Sequence, residues 1–552
     1  MLRRVREKWH WLLPAGVIFG LLTPLLFTDR TFSTDWGNHL WLIWVQGRNI
    51  GDLGEPSYFL QSSLSVFYPY YACYGGSIYA LLGGISAATS AEAAVVFAYA
   101  AALAAAYLGW TWIARQLGVR GWRSQLPGCI AVTAPLAVTN LYGRGDIPEA
   151  IATSVIPLIA ASALSLIREP RLRLRDASAY VVGIGVLTGT HTLTLVWGTT
   201  FLLLCAVLLV ACNWRAARDR LRRGFALVGL GALGIAINAW ILMPLVLYHG
   251  RLVERDPDPI GLTAYTDPER LFSLFRNVGD PYPIVTADVN AQLPVLALLW
   301  ALICGAAYWR FISPSNRKVA LGLLGLGTAL LLLVLSPSLI DELPKALRFI
   351  QFPYRVLTYV DLCVVGLVTL ALAAMERDPT SARVPVFALA AIALFNFGLS
   401  IDQNFKVRSW LSGREEALAT PVQPPRSWYA PLQFADGSAP LVEPDLPPLE
   451  VPVGQIQASY RTSYPPGPAG IAETNIATGT YLVDVSGAQP VGRTEDGRMV
   501  VRLPASADRR RVVEVKAALS PAMIVGRWLT LAALVVAVAA AALVLARRRR
   551  AT

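Results

Sequence analysis

The chain has 552 residues, of which 55% are hydrophobic and only 15% are charged, and this composition argues against a soluble protein. Its formal net charge of +12 comes from short basic clusters between apolar runs. Such clusters are typical of cytoplasmic loops rather than of one basic, aromatic surface, so we expect no nucleic-acid partner. The recurring apolar runs, each of about twenty residues, predict an all-α polytopic membrane protein.

Thirteen apolar runs are candidates for transmembrane helices. They are 11–28, 66–88, 92–114, 126–142, 148–167, 178–195, 197–212, 224–248, 293–311, 318–337, 355–375, 383–401 and 522–546. The basic N-terminus "MLRRVREK" and the C-terminal "ARRRRAT" are both predicted to face the cytoplasm, which requires an even number of crossings. One of the thirteen runs is therefore expected not to cross.

The run 66–88, "VFYPYYACYGGSIYALLGGISAA", is the best candidate for that exception because it is rich in Tyr and Gly and contains Pro69. If it lies at the outer interface or re-enters, every basic loop falls on the cytoplasmic side. The sequence thus predicts about 12 transmembrane helices plus an outer juxtamembrane or re-entrant helix. The resulting transmembrane domain spans 1–401, and its first outer loop spans 29–91.

The segment 402–521 differs sharply in composition. It is rich in Pro ("EPDLPPLEVP") and then alternates apolar and polar residues in "GTYLVDVSG" and "GRMVVRLPAS". Short alternating runs bounded by Gly and Pro predict β-strands. We expect a small β-rich extracytoplasmic domain here, followed by a final transmembrane helix and basic cytoplasmic tail at 522–552.

The first polar motif in chain order is "FSTDWGNHL", in the first outer loop. If this segment is helical, Asp35 and His39 lie four residues apart on one face. One interpretation is a catalytic pair. The alternative is that Asp35 caps a surface helix and His39 lies at the membrane interface.

The second motif, "NLYGRGDIPEA", lies in the outer loop between the third and fourth predicted spans. Here Arg144 and the carboxylates of Asp146 and Glu149 are grouped in a Gly-flanked turn, and a guanidinium in such a turn suits a phosphate. The structural alternative is that Asp146 caps the following helix, with Glu149 in its first turn, while Arg144 pairs with Asp146.

Two further motifs place ionisable residues at the predicted outer ends of spans. His191 lies in "TGTHTLT", where an imidazole at membrane depth needs a partner or a cavity. Arg348 and Arg355 lie in "LPKALRFIQFPYR". The alternatives are a structural histidine and two interfacial arginines that extend to lipid headgroups.

These motifs together predict one outer site with two kinds of chemistry. Its candidate catalytic residues are Asp35, His39, Asp146, Glu149 and His191, and its candidate lipid-phosphate ligands are Arg144, Arg348 and Arg355. A carboxylate can act as general base on a hydroxyl while cations stabilise a departing phosphate. Transfer of a sugar from a lipid phosphate to an alcohol requires this combination.

The order of "DWGNHLW", "FYPYYACYGG", "YGRGDIPEA", "GTHTLT" and "IQFPYR" between about residues 30 and 360 resembles the GT-C superfamily of polytopic glycosyltransferases. More closely, it resembles a group of bacterial membrane proteins labelled "6-pyruvoyl-tetrahydropterin synthase-related". That label does not fit the chemistry, because the chain lacks a pterin enzyme's metal-binding histidine set.

The GT-C resemblance implies that Asp35 is the catalytic base, whereas His39 has no firm counterpart in that pattern. It leaves a divalent metal ion open, with Asp35 and either His39 or Asp146 as ligands. The implied partners are membrane lipid, a polyprenyl-phosphate-linked sugar and an extracytoplasmic acceptor. The expected role is glycan synthesis for the cell envelope at the inner (plasma) membrane.

Two other classes of function remain open. A transporter or flippase for a lipid-linked precursor needs polar groups through the depth of several spans. The predicted spans contain few of them, among them Asn238, Asn396 and Asp361. A non-catalytic assembly partner would instead depend on 402–521 for binding.

Overall fold

The computed structural model describes most of the chain. The described residues are 2–28, 33–58, 60–61, 67–68, 71, 74–169, 173–212, 221–248, 252–253, 271–273, 292–336, 338–348, 350, 352–378, 381–406, 433–434, 459–477, 483–493 and 498–551. They are predominantly helical, and the strands with a core of their own lie near the C-terminus. The predicted class, a helical protein with a small β-rich unit near the C-terminus, is confirmed.

The helices follow the apolar runs of the sequence. They are α1 (Leu2–Phe27), α2 (Ser33–Leu53), α3 (Gly76–Ala88), α4 (Ala91–Gln116), α5 (Leu126–Val132), α6 (Pro135–Val138), α7 (Ile147–Ser154), α8 (Ile156–Arg168), α9 (Leu174–Thr190), α10 (Thr192–Cys212), α11 (Leu221–Ala236), α12 (Ala239–Tyr248), α13 (Val295–Ala307), α14 (Pro314–Leu335), α15 (Ser338–Asp341), α16 (Lys345–Arg348), α17 (Leu357–Met375), α18 (Arg383–Lys406) and α19 (Pro521–Ala551). Short 3-10 turns span Gly121–Gln125, Trp309–Phe311 and Pro353–Val356, and a π-helical turn spans Thr139–Gly143.

Seven helices in the described part of the chain are long and apolar enough to cross a membrane, or up to nine if each of two bent pairs forms one span. The predicted number of about 12 is therefore not confirmed. The runs 178–195 and 293–311 correspond to α9 and α13, which have only 17 and 13 residues. At 1.5 Å per residue, these helices are about 20–26 Å long, shorter than a hydrocarbon core of about 30 Å.

The segment that the sequence predicts as the first outer loop contains a pair of packed helices, α2 and α3. Gly47 and Gly83 permit the close approach, because a Cβ on Gly83 would lie 2.6 Å from Gln46 Cβ and one on Gly47 would lie 2.9 Å from Ser86 Cβ. Helix α3, within the run 66–88, has only 13 residues, and the outer juxtamembrane placement of that run stays a prediction. Residues 62–66, 69–70 and 72–73 of this region lie outside the described residues.

The second motif follows a break in a span. The segments Gly121–Val132 and Pro135–Gly143 meet at 57°, and the second segment ends in the π-helical turn. Such turns occur often at functional sites because they widen the helix and redirect its side chains. The residues "GRGD" (143–146) therefore lie between the π-helical turn and the first residue of α7.

The β-rich unit consists of two three-stranded antiparallel sheets. The strands are β1 (Ser459–Tyr464), β2 (Gly470–Ala477), β3 (Val483–Ser486), β4 (Gln489–Arg493), β5 (Arg498–Leu503) and β6 (Arg511–Ala517). The strand orders of the two sheets are β1–β6–β3 and β2–β5–β4. Alternate residues of β5, namely Met499, Val501 and Leu503, are buried, as the alternation in "GRMVVRLPAS" predicts.

This β-rich unit packs against the helical part of the chain. Its core is continuous with Tyr58, just after α2, and with Met523 at the start of α19. The Tyr58 hydroxyl donates to the Met523 carbonyl (3.2 Å), and Arg527 of α19 forms an ion pair with Glu55 (2.8 Å). Helix α19 therefore connects the β-rich unit to the segment that follows α2, the helix that carries Asp35.

Candidate functional site

The turn after the π-helical segment places Arg144 and Asp146 beside α2. The Arg144 backbone N–H donates to the Thr139 carbonyl (2.7 Å), and the Asp146 N–H donates to the Asn140 carbonyl (3.0 Å). Between them, Gly145 has φ +69°. A Cβ on Gly145 would lie 2.5 Å from Trp36 Cβ and 2.7 Å from Trp36 N, so the turn touches the backbone next to Asp35.

Arg144 is buried and makes a dense set of contacts. Its Nη1 donates to Glu149 Oε2 (2.9 Å) and to Asn140 Oδ1 (3.1 Å), and its Nη2 donates to Asp146 Oδ2 (2.9 Å). The guanidinium carbon also lies 5.3 Å from the centroid of the Tyr354 ring. Arg144 therefore pairs with Asp146, as in the structural alternative that the sequence offered for this motif.

Asp146 also caps α7, as the spacing in "GDIPEA" predicts. Its Oδ1 accepts the Glu149 backbone N–H (3.1 Å). Burial by itself would raise the pKa of the Asp146 carboxyl, but Arg144 and the neighbouring imidazoles and guanidinium hold that pKa well below its ordinary range. Asp146 is thus a permanent anion at neutral pH.

Arg355 joins the same cluster from a distant part of the chain. It lies in the 3-10 turn that begins the Pro353–Met375 span, and its side chain is buried. Its Nε lies 3.3 Å from Glu149 Oε2 and its Nη2 lies 3.8 Å from Asp146 Oδ2. These ion pairs are longer than those of Arg144, so Arg355 is the cation that can shift toward a ligand at lower cost.

Asp35 and His39 lie on α2, whose helical conformation confirms the predicted spacing on one face. Burial raises the pKa of the Asp35 carboxyl to about 6; the charge of Asp146 adds to this effect and that of Arg144 opposes it. Burial lowers the pKa of His39 to about 4, so its imidazole is neutral at pH 7. An acid with a pKa near neutrality therefore lies within reach of the charges of Arg144 and Asp146.

The two imidazoles lie beside the cluster, and both contact the ring of Tyr74. His39 Nε2 lies 3.8 Å from Asp146 Oδ1, and its Nδ1 is hydrogen-bonded to the Tyr79 hydroxyl. His191 Nδ1 accepts the Thr194 backbone N–H (3.2 Å) and contacts the Thr194 hydroxyl (2.7 Å). The neutral His191 ring therefore carries its proton on Nε2.

Arg348 is placed differently from the other arginines. It ends the four-residue helix α16, is exposed, and donates from Nε to the Leu343 carbonyl (2.5 Å). Within the described part of the chain, no ion pair or hydrogen bond joins Arg348 to the buried cluster. The structure thus brings seven of the eight predicted site residues together.

A divalent metal ion fits this arrangement poorly. Ligand atoms of Asp146, Glu149 and His191 lie within 4.8 Å of one another, which is the spacing of a metal site. However, the carboxylate oxygens already accept guanidinium donors, and His191 Nδ1 accepts a backbone N–H. An ion would have to displace these donors, so we assign no chemical step to a metal.

Sequence reasoning did not single out several residues that shape this site. Tyr79, Tyr354 and Thr194 contact the imidazoles or Arg144, and Gly145 sets the distance to α2. Tyr354 lies inside the motif "IQFPYR", but the motif does not indicate that the Tyr354 ring contacts Arg144. The role of Tyr79 required knowledge of the packing between α2 and α3.

Comparison with protein-family models and with curated proteins finds no match. Among solved structures, the chain is similar to the cryo-EM structure of arabinofuranosyltransferase AftD from mycobacteria, with a TM-score of 0.47 and 15% identity, over 73% of this chain and 27% of that chain. A mutant of the same enzyme gives a TM-score of 0.43 and 12% identity, over 73% of this chain and 28% of that chain. This chain thus spans about a quarter of the length of those proteins.

The fold and the site together define a class: a helical membrane protein with a buried cluster of arginines and carboxylates beside an acid of raised pKa.

Proposed function

We propose that this protein is a membrane glycosyltransferase of the GT-C type. It transfers a sugar from a polyprenyl-phosphate donor to the hydroxyl of an extracytoplasmic acceptor, in the synthesis of cell-envelope glycan. The observation that carries the proposal is the position of Asp35, whose pKa is about 6: its neighbour Trp36 touches the turn that carries Arg144, and the charges of buried Arg144 and Arg355 act on its carboxyl. A base and a phosphate site in one place are what this transfer requires.

In the proposed reaction, the acceptor oxygen attacks the anomeric carbon of the sugar. The bond between that carbon and the phosphate oxygen breaks, and the configuration at the anomeric carbon inverts. The proton of the acceptor hydroxyl passes to Asp35, and the bonding electrons leave with the polyprenyl phosphate. A carboxyl with a pKa near 6 is ionised at pH 7, yet still basic enough to accept this proton.

The arginines stabilise the leaving phosphate in this proposal. Arg355 is the direct phosphate ligand because its ion pairs in the cluster, at 3.3 and 3.8 Å, are the longest. Arg144 is held by three closer partners and supplies a fixed positive charge. Exposed Arg348 provides an outer contact for the incoming phosphate.

The remaining predicted site residues position this machinery. Asp146 and Glu149 hold the two guanidiniums, and Asp146 also orders the first turn of α7. Neutral His39 and His191 are further polar side chains of the site. The His191 ring makes an edge contact with the Tyr74 ring, with 5.5 Å between the centroids. The proposed roles follow the motif order that resembles the GT-C superfamily.

The proposed organisation follows the predicted domains. The transmembrane domain 1–401 carries the site on the outer face of the plasma membrane, and the β-rich unit within 402–521 contacts the acceptor. Helix α19 links that unit, through Arg527 and Tyr58, to the segment that follows α2, the helix of Asp35. The connection gives an acceptor-binding unit a fixed position relative to the base.

Binding of farnesyl phosphate, a short-chain analogue of the released product, tests the phosphate site directly. Native mass spectrometry of the purified full-length protein should detect its adduct, and Arg355→Gln should remove most of the binding. Farnesol and inorganic phosphate serve as comparison ligands. Equal binding of farnesol and farnesyl phosphate, or undiminished binding by Arg355→Gln, contradicts the assignment.

A further inference from the structure

The predicted span 224–248 is broken in the structure, and the break contains Asn238, one of the few polar residues of the predicted spans. Helices α11 and α12 meet there at 81°. Asn238 directly precedes α12, and its carbonyl accepts the backbone N–H groups of Ile241 and Leu242. An asparagine at such a position ordinarily uses its side chain to cap its own helix. The Asn238 side chain instead binds a different helix, α9.

The Asn238 amide holds the last turns of α9. Its Nδ2 donates to the Gly185 carbonyl (2.6 Å) and to the Thr188 hydroxyl (2.7 Å). Gly189 allows this close approach, because a Cβ on Gly189 would lie 2.5 Å from Asn238 Oδ1. Helix α9 ends immediately before His191. Buried Asn238 therefore fixes the helix end that carries the His191 imidazole.

Trp240, just after Asn238, binds the beginning of α3. Its Nε1 donates to the Ser77 hydroxyl (2.9 Å). Tyr79 lies in the next part of α3, and its hydroxyl is hydrogen-bonded to His39. The Trp240 ring also lies 5.1 Å from the Tyr58 ring, next to the core of the β-rich unit. Trp240 thus fixes the turn of α3 that supports the His39 imidazole.

Both imidazoles lie close to the carboxylate cluster, so small shifts of α3 or α9 change the geometry of the site. His39 Nε2 lies 3.8 Å from Asp146 Oδ1. One ring nitrogen of His191 lies within 4.8 Å of carboxylate oxygens of Asp146 and Glu149. A displacement of about 1 Å at such distances is enough to disturb the chemistry of a site. The supports of the two rings therefore matter as much as the rings themselves.

We propose that residues 238–240, the junction, are a positioning element for this site: Asn238 positions His191 through α9, and Trp240 positions His39 through α3. Among the residues that the structure describes, neither side chain forms a hydrogen bond or ion pair with a carboxylate of the cluster, so both act through the helices they bind. The inference concerns the arrangement of the cluster and does not depend on the proposed glycosyl transfer.

Hydrogen–deuterium exchange at the histidine ring carbon Cε1, read by peptide mass spectrometry of the full-length protein, follows His39 and His191 separately. Asn238→Leu removes two hydrogen bonds, and Trp240→Phe removes one while it keeps a ring beside Tyr58. At about fivefold per hydrogen bond lost, Asn238→Leu should speed exchange at His191 roughly 25-fold. Trp240→Phe should speed exchange at His39 about fivefold, and each variant should leave the other histidine within about twofold.

Asn396→Leu is the matched control, because Asn396 is a polar residue of another predicted span, on α18, and it should leave both exchange rates unchanged. Equal acceleration of both histidines by each variant would show a general loosening of the fold and overturn the proposal. No acceleration by either variant would also overturn it. If Asn238→Leu does not fold, Thr188→Val, which removes one acceptor of the amide, decides the question with an expected increase of about fivefold at His191.

The exchange rates are measured without any substrate. Failure of the wild type to bind farnesyl phosphate would therefore contradict the proposed function and leave this inference to be decided by the exchange rates alone.

Discussion

Replacement of Asp35 by asparagine should remove activity and yet stabilise the protein. The carboxyl has a pKa of about 6 against its ordinary value of 3.8, so its ionisation is disfavoured in the folded state. This difference corresponds to about 3 kcal/mol of destabilisation once the group is ionised. Asp35 is half-buried, so solvent screening reduces this effect. We therefore expect Asp35→Asn to raise the free energy of unfolding by about 2 kcal/mol at pH 8.

The pH dependence of this gain follows from the direction of the shift. Below pH 3.8 both side chains are neutral, so the wild type and Asp35→Asn should be equally stable. The wild type then loses stability relative to the variant as the pH rises from 3.8 through about 6, and the difference is constant above that range. Glycan formation by the wild type should rise over the same interval, as Asp35 becomes a base.

The assay compares apparent melting temperatures of the two proteins in detergent from pH 4 to pH 8, alongside glycan product from membranes. Asp52→Asn is the matched control, because Asp52 is an exposed residue of the same helix, and its stability should change by less than about 0.5 kcal/mol. If Asp35→Asn is less stable than the wild type at pH 8, the Asp35 carboxyl does not have a raised pKa in the folded protein, and the reasoning is refuted. Undiminished glycan product would remove Asp35 as the base.

Three further predictions concern the surroundings of Asp35. Gly145→Ala should reduce activity about a hundredfold, because the added Cβ would displace α2. Gly118 also has a positive φ, but its Cβ position is open, so Gly118→Ala should lower the free energy of unfolding by about 1 kcal/mol and retain activity. Circular dichroism melts and product assays check both variants. Arg355→Gln should lower product formation at least a hundredfold and Arg348→Gln less than tenfold, and equal effects would contradict the separate roles. Treatment with EDTA should leave product formation unchanged, because guanidinium donors already occupy the carboxylate oxygens; loss of activity that added Mg²⁺ or Mn²⁺ restores would refute this reasoning.

Several elements show how far local sequence signals reach. The spacing of Asp35 and His39 predicted a shared helix face, and α2 confirms the helix. The cap in "GDIPEA" and the strands in "GRMVVRLPAS" were predicted because each depends on neighbours within a few residues. The number of spans was not confirmed, because hydropathy does not show where a helix ends, and α13 has only 13 residues.

The two outer arginines show where such signals end. Arg348 and Arg355 lie in one motif and were indistinguishable by residue type and spacing. In the fold, Arg355 is buried against Glu149, while Arg348 is exposed and bonded to the nearby Leu343 carbonyl. The packing of the Pro353–Met375 span beside α7 decides which arginine joins the cluster. The residues of the motif do not predict that packing.

The sequence by itself determined the helical membrane class and the β-rich unit, and it offered the cap at Asp146 as one of two interpretations of its motif, because hydropathy, alternation and capping act over short stretches of chain. Only the tertiary structure decided that Arg355 meets Glu149 and that Gly145 touches Trp36. It also decided the raised pKa of Asp35. Burial and the field of charges brought from distant segments cause that shift, and neither exists until the chain has folded.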